Sequence, residues 1–336
     1  MESLKQGYRS FADRFLRNSR KPTDMVLIAI SMSFLMALVG MGLSSVIMNL
    51  PGMPFNTRIS SPEEAVTYMD VASLYFGFIG IWLLVLLAII IPKANRPMLK
   101  DILPNRRGNT LWGIIFGLVM GFSLNAICVI LSIILGDIGL SFAEFDAVKL
   151  LVIFATVLVQ SGAEEIIDRQ FLYEKLRRRY KSVPFAIVVQ AAVFTAMHAF
   201  NPGMTIVSVL QIFAVGIIFA LFVCYFDGLW AAIFFHTSWN FTQNIIFGCP
   251  NSGAVSGYSI FRLDAASYGP FFDPVFGVEG SVGAVAILFA FMILLLVYIK
   301  KKDLQPRDLW ADMDQPSGAE ALPTGSAAEH GGRHFA

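Results

Sequence analysis

Eight stretches of this chain, at roughly 25–48, 72–91, 111–135, 148–168, 184–200, 204–226, 229–248 and 282–299, approach the roughly 20 apolar residues that a helix needs to cross a bilayer. Hydrocarbon offers backbone N–H and C=O groups no hydrogen-bond partner. Long apolar runs without a ten-residue alternating pattern must therefore be helices and not a barrel. Only 15% of the 336 residues are charged and 56% are hydrophobic, outside the balance of a water-soluble domain. The expected fold class is an all-α, polytopic transmembrane bundle of about eight spans, integral to a membrane.

Lysine and arginine collect in alternate loops. Arg9, Arg14, Arg17, Arg20 and Lys21 precede the first run; Lys93, Arg96, Lys100, Arg106 and Arg107 follow the second; Lys175, Arg177, Arg178, Arg179 and Lys181 follow the fourth; Lys300, Lys301 and Lys302 follow the last. The intervening loops are acidic or neutral. By the positive-inside bias both termini are cytoplasmic, and in a prokaryote the membrane is the cell membrane. Topology thus accounts for the basic residues, and no nucleic-acid partner is expected. The first run is too long and too far from the start for a cleavable signal peptide, so it is expected to stay as a span.

Residues 1–24, where Leu4, Tyr8, Phe11 and Phe15 recur at helical spacing among basic residues, suggest an amphipathic cytoplasmic segment. Residues 25–300 form the membrane domain. From 301 to 336 the chain turns to Pro, Gly, Ser and acids, the composition of a disordered cytoplasmic tail. Gly113, Gly117 and Gly121 clear one helix face for a close neighbour. The three cysteines, Cys128, Cys224 and Cys249, have no metal-ligand spacing and are expected to be packing residues. The loop from Cys249 to Ser281 is either a lid or a cover on helix ends.

Ionisable residues inside such spans cost roughly 3 kcal/mol each at a helix centre, so they are kept mainly where they act or pair. The fourth span ends Ser161-Gly-Ala-Glu164-Glu165-Ile-Ile-Asp-Arg169. Glu165 and Arg169 lie one helical turn apart and can pair. Glu164 is turned away from them and is free to face the bundle interior, where it is the candidate general base. His198 closes the fifth span, and His236 and Asn240 share one face of the seventh, two donors suited to an oxyanion. A straight count leaves Glu164 and His198 at different depths unless helix four starts further out or helix five is displaced toward the cytoplasm.

The ordered set Glu164-Glu165-x-x-x-Arg169, Phe194-x-x-x-His198 and His236-x-x-x-Asn240 resembles the CAAX prenyl endopeptidase and bacteriocin-processing (CPBP, or Abi) family of intramembrane proteases. The resemblance covers about residues 148–248. It implies that Glu164, helped by His198, activates a water against a peptide carbonyl. His236 and Asn240 would stabilise the oxyanion, and Glu165 and Arg169 would give structural support. The implied substrate is a membrane-bound or prenylated peptide, and no cofactor is required. Zinc on Glu164, His198 and His236 is an alternative, although no H-E-x-x-H pair is present. Two other functions use the same polar cavity: a proton-coupled transporter, for which Gly162 beside Glu164 would mark a broken helix, and a non-catalytic immunity or assembly factor.

Overall fold

The computed structural model describes residues 14–17, 21–55 and 67–314. All eight apolar runs are helical, and six helical spans are long and apolar enough to cross a membrane. The first is α1 (Val26–Met48). The second is α2 (Tyr68–Phe76) and α3 (Ile79–Ile90), continuous as one span over Tyr68–Ile90. Next comes α4 (Leu111–Leu135), capped by the Thr110 hydroxyl and ended by Gly136 at φ +79°.

The fourth span begins as α5 (Ala147–Glu165), where the Asp146 carboxylate accepts from the Val148 and Lys149 N–H groups. It passes through a π-helical segment (Ile166–Leu172) into α6 (Tyr173–Arg179). Together these make one 33-residue helix, Ala147–Arg179, about 50 Å long at 1.5 Å per residue. The short α7 (Val183–Met197) turns back along its far half, its first turn capped by Ser182. Because α7 starts level with residue 179, its end at His198 returns to the level of Glu164. The depth conflict in the sequence is resolved in this way.

Three further helices complete the bundle: α8 (Ile206–Phe226), α9 (Leu229–Asn240) with a π-helical continuation (Phe241–Ile246), and α10 (Val282–Lys301). A two-stranded antiparallel sheet of β1 (Ile138–Phe142) and β2 (Phe261–Ala266), absent from the expected fold, ties the long final loop to the end of α4.

The glycine stripe on α4 faces α9, the helix with the most extensive packing against it. A Cβ on Gly117 would lie 2.5 Å from the Ala231 carbonyl oxygen and 2.8 Å from the Phe235 nitrogen. The two backbones therefore touch, which fixes the position of α9 and of His236 upon it. Gly162 does not break α5. Its missing side chain admits the Trp82 ring, whose Nε1 donates to the Val159 carbonyl at 2.8 Å.

The basic end of the bundle is held by ion pairs. Asp24 accepts from Arg178 Nε at 2.6 Å and lies 3.3 Å from Lys175 Nζ. Residues 303–314, expected as the start of a disordered tail, fold back onto this end. Arg307 pairs with Asp101 and, at 2.5 Å, with Asp227, while its N–H donates to the Cys224 carbonyl at 2.7 Å. Trp310 is buried and donates to Glu174 at 2.8 Å, and Asp308 bridges Arg177 and Arg17. Composition misled here because the anchors are ion pairs and one indole, not an apolar run. Phe15 packs tilted against Tyr180 and edge-on against Phe185, and Leu4, Tyr8 and Phe11 fall outside the described residues, as do 315–336. Cys128, Cys224 and Cys249 are free and buried.

Candidate functional site

Glu164 and Glu165 occupy the last turn of α5, directly before the π-helical segment. A π segment shifts the facing of every later side chain, and such insertions recur at functional sites. Glu165 and Arg169 are both 0% exposed, with Arg169 Nε 3.2 Å from Glu165 Oε2. The contact is electrostatic and not a directed hydrogen bond, since neither atom has a hydrogen-bond partner in this geometry. The face of the guanidinium sits 4.1 Å from the Phe194 ring centroid and 5.4 Å from that of Phe219. Asp168 Oδ2 lies 3.8 Å from Arg169 Nη1, so the arginine is kept in a buried site by two carboxyl groups and two aromatic faces.

The other Glu165 oxygen holds His236. Its Oε1 lies 3.0 Å from His236 Nδ1, so that nitrogen carries the proton and donates. The imidazole is stacked at 5.5 Å against Phe219 and edge-on at 6.0 Å to Phe194. Its Nε2 faces Glu164, 3.7 Å from Oε2. One helical turn of α5 thus does two jobs across the bundle. Glu165 anchors the seventh apolar helix, and Glu164 looks into the space beyond it.

That space is a cavity of about 750 Å³, into which Glu164, His198, His236 and Asn240 all contribute. His198 caps α7, and its Nδ1 donates to the Phe194 carbonyl at 2.8 Å, which leaves Nε2 for a second partner. Phe194 is the hub of the Phe-x-x-x-His pair: its carbonyl orients His198, and its ring supports Arg169 and His236. Among the described residues no hydrogen bond or ion pair joins His198 to Glu164, although both line the cavity. No three His, Cys, Asp or Glu side chains among the described residues are placed to share a metal ion, so Glu164, His198 and His236 do not form a ready ligand set.

Three polar residues absent from the sequence-based site complete it. Gln160, one turn before Glu164, donates to Glu164 Oε1 at 2.5 Å and accepts from Asn240 Nδ2 at 3.1 Å. Its i, i+4 spacing from Glu164 was the available signal. Asn251 donates to Asn240 Oδ1 at 3.2 Å, and Glu279 accepts from Trp239 Nε1 at 2.9 Å. These two belong to the long final loop, where no periodicity pointed to them. Asn251–Ser256 and Glu279 line the cavity, so this loop closes one side of it. Burial raises the Glu279 carboxyl above the usual carboxylate range, against the opposing pull of its Ser252 and Trp239 donors and of nearby His198.

The remaining walls are apolar. Phe34, Leu38 and Met41 of α1 line the cavity and are exposed, and Phe78 lies with them. The cavity therefore joins a polar floor to an apolar wall.

Comparison with known proteins bears on the same segment. A protein of Bacillus subtilis (strain 168) called Uncharacterized protein YyaK is 28% identical over 154 residues, covering 42% of this chain and 49% of that protein. The chain thus spans about half the length of this curated relative. No solved structure matches. Residues 146–242 match the family described as Type II CAAX prenyl endopeptidase Rce1-like. The matched segment holds Glu164, Glu165, Arg169, His198, His236 and Asn240, so the part of this multi-pass membrane protein that builds the site is the part similar to Rce1-like CAAX endopeptidases.

Proposed function

We propose that this protein is an intramembrane endopeptidase that hydrolyses a peptide bond in a membrane-associated or lipidated substrate, with Glu164 activating the attacking water. One observation carries the reading. Glu164 Oε1 is held by Gln160, while Oε2 has no hydrogen-bond partner among the described residues, and the residue lines a cavity with one polar and one apolar wall. A buried carboxylate oxygen without a partner is unfavourable, and a general base is one reason to retain it.

The chemistry needs only the groups present. Glu164 Oε2 and His198 Nε2 are both acceptors, and a water donating to both turns a lone pair toward the scissile carbonyl. Attack transfers one water proton to Glu164 and leaves a negative oxygen on the tetrahedral carbon. Asn240 Nδ2, which has a second N–H beyond the one given to Gln160, and His236 Nε2, when protonated, donate to that oxygen. Glu164 then returns the proton to the leaving nitrogen as the C–N bond breaks, giving a carboxylic acid, which keeps the second water proton, and an amine. Glu165 and Arg169 hold α5 and α9 in register. The apolar wall of Phe34, Leu38, Met41 and Phe78 suits a lipid chain or an apolar peptide side chain entering from the membrane.

The test is cleavage of a quenched fluorescent farnesylated peptide by purified protein, with and without a zinc chelator. Wild type is expected to cleave in both conditions, and Glu164→Gln to lose at least about 1000-fold in kcat, as removal of a general base together with its water requires. Cleavage unchanged in Glu164→Gln refutes the base assignment, and loss with chelator alone assigns a metal. The transporter reading, in which Glu164, Glu165 and His198 relay protons, needs a broken helix, and α5 runs unbroken through Gly162.

A further inference from the structure

The long final loop does more than cover the cavity. Four side chains from three parts of the chain form an unbroken line of hydrogen bonds: Asn251 Nδ2 to Asn240 Oδ1 at 3.2 Å, Asn240 Nδ2 to Gln160 Oε1 at 3.1 Å, and Gln160 Nε2 to Glu164 Oε1 at 2.5 Å. Asn240 and Gln160 each accept with the oxygen and donate with the nitrogen, and Asn251 donates into the line, so all donors point the same way, toward Glu164. Asn251, Asn240 and Gln160 are buried, and a reversed amide would set like atoms against each other along the line.

The direction of the line is set at its outer end. Asn251 Nδ2 lies 3.4 Å from Glu279 Oε1 as well, so its two N–H groups have two acceptors, Asn240 Oδ1 and Glu279 Oε1. Glu279 is itself fixed by the Ser252 N–H at 2.8 Å, the Ser252 hydroxyl at 2.6 Å and Trp239 Nε1. The backbone at Asn251 is equally constrained. Asn251 and Ala254 exchange backbone hydrogen bonds at 2.7 and 2.8 Å across Ser252 and Gly253, both at positive φ, the geometry of a tight two-residue turn. Gln243 and Asn244, one turn past Asn240, grip the carbonyls of Pro250 and Cys249.

We propose that Asn251, oriented by Glu279, is a positioning residue for the cavity chemistry. It fixes the Asn240 amide with its nitrogen inward and, through Gln160, holds the Glu164 carboxylate in its working rotamer. A side chain of the outer loop would thereby decide the orientation of the base and of one oxyanion donor. Without it the Asn240 amide can reverse, present its oxygen to Gln160, and release Gln160 from Glu164. The proposal rests on the endopeptidase reading for its kinetic arm only.

The experiment uses the purified full chain and two readouts. The first is infrared: the Glu164 carboxylate stretch is taken as the band that Glu164→Gln removes. In Asn251→Ala that band is expected to shift, because its donor Gln160 is no longer held. The second is kinetic: Asn251→Ala lowers kcat on the quenched peptide roughly tenfold, the worth of one lost orienting hydrogen bond, with KM within about twofold. In an Asn240→Ala background the same substitution costs nothing further, since the residue it acts through is gone. Asn251→Leu, equal in bulk and without a donor, serves if Asn251→Ala does not fold. A band that stays in place, or a kcat loss that persists in full beside Asn240→Ala, overturns the proposal. If wild type cleaves nothing, the endopeptidase reading fails, and the infrared band still decides the relay.

Discussion

Gly117→Ala isolates the contact that positions half of the site. Ordinary carbon contacts begin near 3.4 Å, whereas the new Cβ would meet the Ala231 oxygen at 2.5 Å and the Phe235 nitrogen at 2.8 Å. Both are backbone atoms of α9, so no rotamer change relieves the overlap, and the helices must separate by about 0.9 Å. Overpacking of this kind costs about 1–3 kcal/mol. Replacing a helical glycine by alanine also gains up to about 1 kcal/mol from propensity, which obscures the clash in a single variant. Gly42→Ala is the natural reference: it lies in α1, and its Cβ would meet nothing within 4 Å. Propensity cancels between the two variants, leaving Gly117→Ala less stable than Gly42→Ala by about 1–3 kcal/mol, or roughly 5- to 150-fold in the unfolding equilibrium. Reversible unfolding of each purified variant in mixed micelles with rising dodecyl sulfate reads this directly. The same displacement carries His236 away from Glu165, stretching their 3.0 Å bond toward the limit of hydrogen bonding, so cleavage should fall with stability. Equal stability of the two variants would refute the close approach of α4 and α9.

Removing the Arg169 charge, as in Arg169→Leu, leaves Glu165 buried with only His236 as partner, and should destabilise by about 3–5 kcal/mol, seen as loss of folded protein in the same unfolding assay. Arg307→Ala orphans Asp101 and Asp227 together. A comparable loss is expected, with trypsin cutting first near residues 300–302, and undiminished protease resistance would argue against the folded-back segment. Because the folded state raises the Glu279 carboxyl above its ordinary 4.5, that state binds the proton more tightly than the unfolded chain does. Its contribution to loop closure is full below about pH 4.5 and is lost as pH rises through the folded value. Hydrogen exchange across 249–281 should therefore quicken with pH beyond its intrinsic rise, and Glu279→Gln should remove that excess.

Helix identity was legible in the sequence for a physical reason: in hydrocarbon the backbone must satisfy itself within a segment, so each long apolar run admits one local structure. The Glu165–Arg169 pairing and the inward turn of Glu164 were legible too, because both depend only on the geometry of a single helix. So was the glycine stripe, as a surface prepared for a neighbour. Which neighbour it meets was not, since periodicity gives a face and no partner. The meeting of His236 with both glutamates, the level shared by Glu164 and His198 along a helix of 33 residues, and the line from Asn251 to Glu164 exist only between elements. Asn251 and Glu279 lie in a loop whose sequence carries no period, and residues 303–314 are held by ions whose partners are up to 291 positions distant. The sequence by itself determined a bundle of apolar helices bearing acids, histidines and an amide on known faces. The tertiary structure alone decided which of those faces meet, because hydrogen bonds and ion pairs between helices depend on the depth and rotation of each helix against the next, quantities that no single segment encodes.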